Sequence, residues 1–134
     1  MSENTVNLSP DESSSQLREL LKRCDPKVIE AAIEFQKTGS SENIFFIVRG
    51  IIERFLEPEL RPKLHEEGSE TTDLIEELGV DSLDMVEIVS TIEETFKLSI
   101  PNEDLLAMKT LKDIDDYIKS RFTADSPVLA ASNG

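Results

Sequence analysis

The chain has no tryptophan and one tyrosine, and aromatic residues make up only 5% of it. Any core must therefore be assembled mostly from Leu, Ile and Val. There is one cysteine, Cys24, and one histidine, His65. A single cysteine excludes a disulfide framework within the chain, and the Cys/His spacings of zinc sites are absent. Cations are scarce: 14 Lys and Arg stand against 28 Asp and Glu, a net charge of −14. Such a surface repels phosphate backbones and anionic headgroups, which argues against nucleic-acid or membrane-surface binding and favours basic partners. No apolar run approaches the roughly 20 residues that span a bilayer. The opening stretch MSENTVNLSPDESSS lacks a basic flank and an apolar segment, so no signal peptide is expected. The expected compartment is the cytoplasm.

What is present is helical pattern. The 134 residues are 38% hydrophobic and 31% charged, which fits one compact domain with extensions. Ser9-Pro10-Asp11-Glu12 reads as a capping box ahead of Leu17, Leu20 and Leu21. Asp25-Pro26 starts a second helix with Val28, Ile29, Ala32 and Ile33 on one face, and Gly39 ends it. Ser40 or Ser41 can cap a third, carrying Ile44, Ile47, Val48, Ile51, Ile52 and Phe55. Pro58 and Pro62 break it, and a long polar connection follows. A connection of that length is uncommon unless it is functional or packs on itself.

The next helix is predicted from Asp81-Ser82 to about Phe96, with Val86, Val89, Ile92 and Phe96 as its inner stripe and Ile88 beside them. Pro101 and Asn102 interrupt the chain, a short piece covers Glu103 to Met108, and a last helix runs from Thr110 to Ser120 with Leu111, Ile114 and Ile118 inward. Ile100 joins the same expected core. No segment alternates with period two, so the expected fold is all-α, a small antiparallel four-helix bundle preceded by a helical hairpin. The first residues, to about Leu8, and the last, from about Thr123, offer little to bury and are expected to be mobile.

The charge is uneven. Residues 1–40 hold 7 acids and 5 bases, whereas residues 66–116 hold 16 acids and 3 bases, or −13. The acidity belongs to one stretch. At its centre, Gly79-Val80-Asp81-Ser82-Leu83-Asp84 places a hydroxyl where a loop meets a helix N-terminus. Free N–H groups and partial positive charge there suit a phosphate ester. They do not suit nucleophilic catalysis, because no base lies nearby and no G-x-S-x-G elbow is present. From position alone, a serine there is ordinarily just an N-cap.

The stretch Leu78-Gly79-Val80-Asp81-Ser82-Leu83-Asp84-Met85-Val86-Glu87 resembles the prosthetic-group site of acyl carrier proteins. The likeness continues through Ile92-Glu93-Glu94-Thr95-Phe96, Ile100-Pro101-Asn102-Glu103 and Asp116-Tyr117-Ile118, over roughly residues 41–121. It implies a domain plan of an N-terminal extension (1–40), a carrier domain (41–121) and a flexible tail (122–134). It implies that Ser82 is esterified with 4′-phosphopantetheine from coenzyme A by a carrier-protein synthase using magnesium, and that the arm's thiol holds an acyl group as a thioester. The chain is then a substrate of enzymes and not an enzyme. Expected partners are that phosphopantetheinyl transferase, ketosynthases, acyltransferases and acyl-activating enzymes with basic docking patches, in fatty-acid or polyketide synthesis. The alternatives are an aminoacyl or peptidyl carrier, or an unmodified acidic interaction module on the same fold.

By the same resemblance, Asp81, Asp84, Glu87, Glu93 and Glu94 form a recognition face, with Leu83 and Met85 flanking the attachment point. The core of Val86, Val89, Ile92, Phe96, Ile100, Leu111, Ile114 and Ile118 can open to sheathe an acyl chain. Like charges at helical spacing cost a few tenths of a kcal/mol each, so they are kept for something other than stability. Ser90 stands where family members typically carry an exposed Met, and Thr95, Lys97 and Ser99 stand where they often carry acids. Cys24 lies outside the matched stretch and is not the acyl thiol. For the extension, three readings stand open: a docking element, a hairpin packed on the carrier, or a dimerisation face through Val28, Ile29 and Ile33.

Overall fold

The computed structural model describes residues 10–124, and the side chains of residues 12–122. Six α-helices account for most of it: α1 Pro10–Leu20, α2 Pro26–Thr38, α3 Ile44–Glu53, α4 Ser82–Phe96, α5 Asn102–Leu105 and α6 Leu111–Ala124. Ser9, the first residues and everything beyond Ala124 lie outside the described residues. Among the described residues no helix is long and apolar enough to cross a membrane.

Helix α3 is the centre. Ile44, Ile47, Val48, Ile51 and Ile52 are all buried, and so is Gly50. A helix apolar around most of its circumference has to be surrounded. It packs against α2, α4 and α6. Gly50 makes room for α2: a Cβ there would collide with Cγ2 of Val28. The side chain missing from α3 is the space that α2 occupies.

The hairpin α1–α2 is therefore part of the core. Leu17, Leu21, Cys24, Val28, Ala32 and Phe35 are buried. Asp25 caps α2 by accepting from Lys27 N–H at 2.8 Å, and Gly39 closes it in the left-handed conformation (φ 70°). Phe35 meets Phe96 of α4 edge-on at 5.1 Å and Phe122 of α6 at 5.0 Å. Val28, placed on a dimer face by one of the three readings of the extension, is buried inside this chain's own core, and Ile29 and Ile33 pack partly against that core.

Helix α6 runs four residues past its expected end at Ser120, and so crosses the boundary expected for a mobile tail. Phe122 supplies the reason, since the helix must continue to bring that ring to Phe35. The connection after Pro58 is built rather than loose. It forms 3₁₀ turns at Pro58–His65 and Ser69–Thr71, and it buries Leu64, Ser69, Leu74, Leu78 and Val80. The Ser69 hydroxyl donates to Leu64 C=O at 2.8 Å, so even its buried polar group is satisfied.

Helix α4 turns the expected face inward except near its start, where Met85 and Val86 exchange places. Met85, Ile88, Val89, Thr91, Ile92, Thr95 and Phe96 are buried. Val86, expected in the core, is 53% exposed, and Met85, expected beside the site, is only 6% exposed. At about 100° per residue, a stripe centred on Ile88 and Ile92 takes in Met85 and leaves Val86 to one side. Buried Thr91 and Thr95 donate to the carbonyls of Glu87 and Thr91, each at 2.8 Å, so two polar residues sit on the inner face without orphaned hydroxyls. Val89, Ile92, Phe96, Ile100, Leu111, Ile114 and Ile118 are buried as expected.

Candidate functional site

The approach to Ser82 is fixed by the segment before it. Asp73 Oδ1 accepts from the N–H groups of Ile75 and Glu76, at 3.0 and 2.8 Å, and turns the chain. Leu74 N–H donates to Lys109 C=O at 2.9 Å and Val80 N–H to Leu74 C=O at 3.0 Å. Gly79 takes φ 77°, a conformation that side chains resist. Buried Leu74, Leu78 and Val80 anchor this turn.

The helix then starts one residue earlier than a serine cap would require. Asp81 is the N-cap: its backbone is extended and its Oδ1 accepts from Asp84 N–H at 2.8 Å. Ser82 is the first helical residue. It is exposed, and its hydroxyl makes no hydrogen bond among the described residues. The capping role is filled next door, which leaves the hydroxyl uncommitted.

An apolar hollow of about 250 Å³ opens beside it, lined by Ile75, Ser82, Met85, Val86, Leu105, Leu106, Met108 and Lys109. Among the described residues, the exposed large hydrophobic side chains are Ile75, Leu83, Val86 and Leu106, with Leu83 at 74% and Leu106 at 77%. Three line the hollow and Leu83 follows Ser82 directly. Apolar surface concentrated in this way marks a binding site rather than scattered exposure. Sequence reasoning missed Ile75, Leu105, Leu106, Met108 and Lys109. The adjacent leucines 105 and 106 were the available signal, because a short helix cannot bury both.

A clasp holds the wall of the hollow. Tyr117 OH donates to Asp104 Oδ2 at 2.8 Å, and Arg121 Nη1 donates to Tyr117 OH at 2.9 Å and to Ser99 C=O at 2.8 Å. These bonds tie α6 to α5 and to the turn before it. Burial, and then the bond to Asp104, pushes the Tyr117 phenol above its ordinary value.

The five acids expected to form a recognition face divide. Glu87 and Glu94 are exposed on α4 and Asp84 is half-buried. Asp81 is the cap. Glu93 turns away: its Oε2 accepts from Ile100 N–H at 2.7 Å and secures the chain after α4. The far end of α4 is also shared with the hairpin, where Glu94 and Lys97 border a cleft with Ser13, Gln16, Leu17, Leu20 and Gln36. Asp81, Leu83, Glu87 and Glu94 therefore keep the exposure a partner would need, Asp84 and Glu93 are half-buried, and Met85 is buried.

Cys24 is buried beside α3, in a separate hollow with Arg23, Arg54 and Arg61. Burial pushes its thiol up, against a smaller opposing pull from Arg54, which disfavours the reactive thiolate. His65 contacts Glu53 and does not approach Ser82's hollow. Among the described residues, no group of three or more His, Cys, Asp or Glu side chains could hold a metal ion.

Comparison with known proteins converges on the same stretch. The family model described as a phosphopantetheine attachment site matches residues 48–118, more than half of the chain. Over 45 residues the chain is 49% identical to the acyl carrier protein of Syntrophobacter fumaroxidans, a match covering 34% of this chain and 56% of that one. It is 47% identical over 47 residues to the acyl carrier protein of Bdellovibrio bacteriovorus, covering 35% and 60%. It is 42% identical over 55 residues to that of Wolinella succinogenes, covering 41% and 72%. The chain thus spans less than two thirds of the length of the first two relatives. No solved structure matches it.

Proposed function

Since the chain belongs to the phosphopantetheine-attachment family of acyl carrier proteins, we propose that Ser82 is its point of attachment and that it shuttles acyl groups between enzymes. The observation that carries this reading is the pairing of Asp81 and Ser82. One caps α4, and the other stays exposed and unbonded beside an apolar hollow. The residues present fit the group: a hydroxyl open to a modifying enzyme, with apolar side chains at its edge.

4′-Phosphopantetheine, when bound, supplies a terminal thiol that holds an acyl group as a thioester. The chain's own residues present the hydroxyl, shape the hollow and offer a surface. Leu83, Glu87 and Glu94 lie outward on the helix that follows Ser82. Charge complementarity with basic partners speeds encounter without long residence, which suits a carrier that must be released after each visit. Association should weaken with salt, because the Debye length is only about 8 Å at physiological ionic strength.

We read residues 41–121 as the carrier domain and residues 1–40 as an extension whose helices α1 and α2 pack onto it. The partners are a phosphopantetheinyl transferase and enzymes of fatty-acid or polyketide synthesis, in the cytoplasm. The names of the relatives favour acyl over aminoacyl cargo.

The test is intact-mass measurement after incubation with coenzyme A, magnesium and a phosphopantetheinyl transferase. The wild-type chain should gain one arm and Ser82→Ala none. A wild-type chain that gains nothing, or a Ser82→Ala chain that still gains an arm, overturns the reading.

A further inference from the structure

An arm joined at Ser82 brings a phosphodiester, and its negative charge falls where the chain is already acidic. Asp81 and Asp84 sit at the same helix start, and residues 66–116 carry 16 acids against 3 bases. Those three bases are Lys97, Lys109 and Lys112. Lys112 is engaged with Asp116 at 2.8 Å. Lys97 closes the far end of α4, roughly 22 Å along the helix from Ser82 at 1.5 Å per residue. Lys109 alone lines the hollow that Ser82 lines, and among the described residues its ammonium makes no ion pair.

Its backbone is held on both sides. Lys109 N–H donates to Asp113 Oδ2 at 3.0 Å, and its carbonyl accepts from Leu74 N–H at 2.9 Å. The second bond links Lys109 to the turn that delivers Ser82. A pinned backbone with an unpaired cation at the rim of an otherwise apolar hollow calls for an anion. We propose that Lys109 receives the phosphodiester of an arm attached at Ser82, and so sets where the arm leaves the protein. This inference rests on the reading of Ser82 given above.

The experiment is phosphorus NMR on the full chain, loaded enzymatically and verified by mass. Lys109→Ala should shift the phosphorus resonance by more than its linewidth and narrow it, as the tether loosens. Lys109→Arg should keep the resonance near the wild-type position. Lys112→Ala, which removes a lysine of the same stretch that does not line the hollow, should leave it unmoved. Added salt should carry the wild-type resonance towards that of Lys109→Ala and leave the variant nearly still. An arm that attaches but whose phosphorus signal is the same with and without Lys109 overturns this inference alone. A wild-type chain that accepts no arm overturns the carrier reading, and this inference with it.

Discussion

The two ends of helix α4 are built on opposite principles. At its C-terminal end, Phe96 is closed in by Phe35 from the hairpin and Phe122 from α6, ring against ring. At its N-terminal end, Ser82, Leu83 and Val86 stand open, beside a hollow walled by a four-residue helix. One end holds three segments together through complementary apolar surface. The other keeps apolar surface uncovered and leaves a hydroxyl without a partner. A single helix of 15 residues can serve both purposes because its termini are separated by about four turns.

Phe35→Ala tests the closed end most severely. Removing a buried phenylalanine costs about 3–5 kcal/mol, so the denaturant midpoint should fall sharply. An unchanged midpoint would mean that the hairpin contributes nothing to the bundle. Gly50→Ala comes next, at about 1–3 kcal/mol for overpacking against Val28. Adding Val28→Ala should return part of that loss, and strict additivity of the two changes would contradict the contact. Lys97→Gly should act in the opposite direction. Lys97 closes α4 with φ 58°, a left-handed conformation. That conformation costs a side-chain-bearing residue roughly 1 kcal/mol, so the melting temperature should rise. The smallest effect belongs to the open end: Ser82→Ala should change stability by less than about 0.5 kcal/mol while abolishing attachment of the arm. A large destabilisation would mean that Ser82 is structural and that the contrast between the two ends fails.

Much of this was legible beforehand. Asp25, Gly39 and Asp81 announced helix boundaries through local chemistry, and the structure uses them as such. The position of Ser82 at a helix start followed from the same rules. The inner stripe of α4 followed at Ile88, Val89, Ile92 and Phe96 but not at its start, where Met85 is buried and Val86 is exposed. Leu83, Met85, Val86, Ile88 and Val89 are all apolar, so hydrophobicity alone does not orient the helix, and two threonines complete the buried face. Glu93 looked like its exposed neighbour Glu94, but its partner is the N–H of Ile100, seven residues on and beyond a break. The end of α6 was hidden for a related reason. Phe122 gains its partner from Phe35, 87 positions earlier in the chain, and no local pattern encodes that meeting.

The cap at Asp81 has a consequence for how this protein can be made and used. Because the aspartate, and not its neighbour, completes the helix, whatever is joined to Ser82 neither breaks nor replaces a bond that the native state relies on. Attachment to the folded chain therefore leaves the start of the helix intact. The decorated chain should unfold no earlier than the bare one, and stripping the decoration should leave a folded protein.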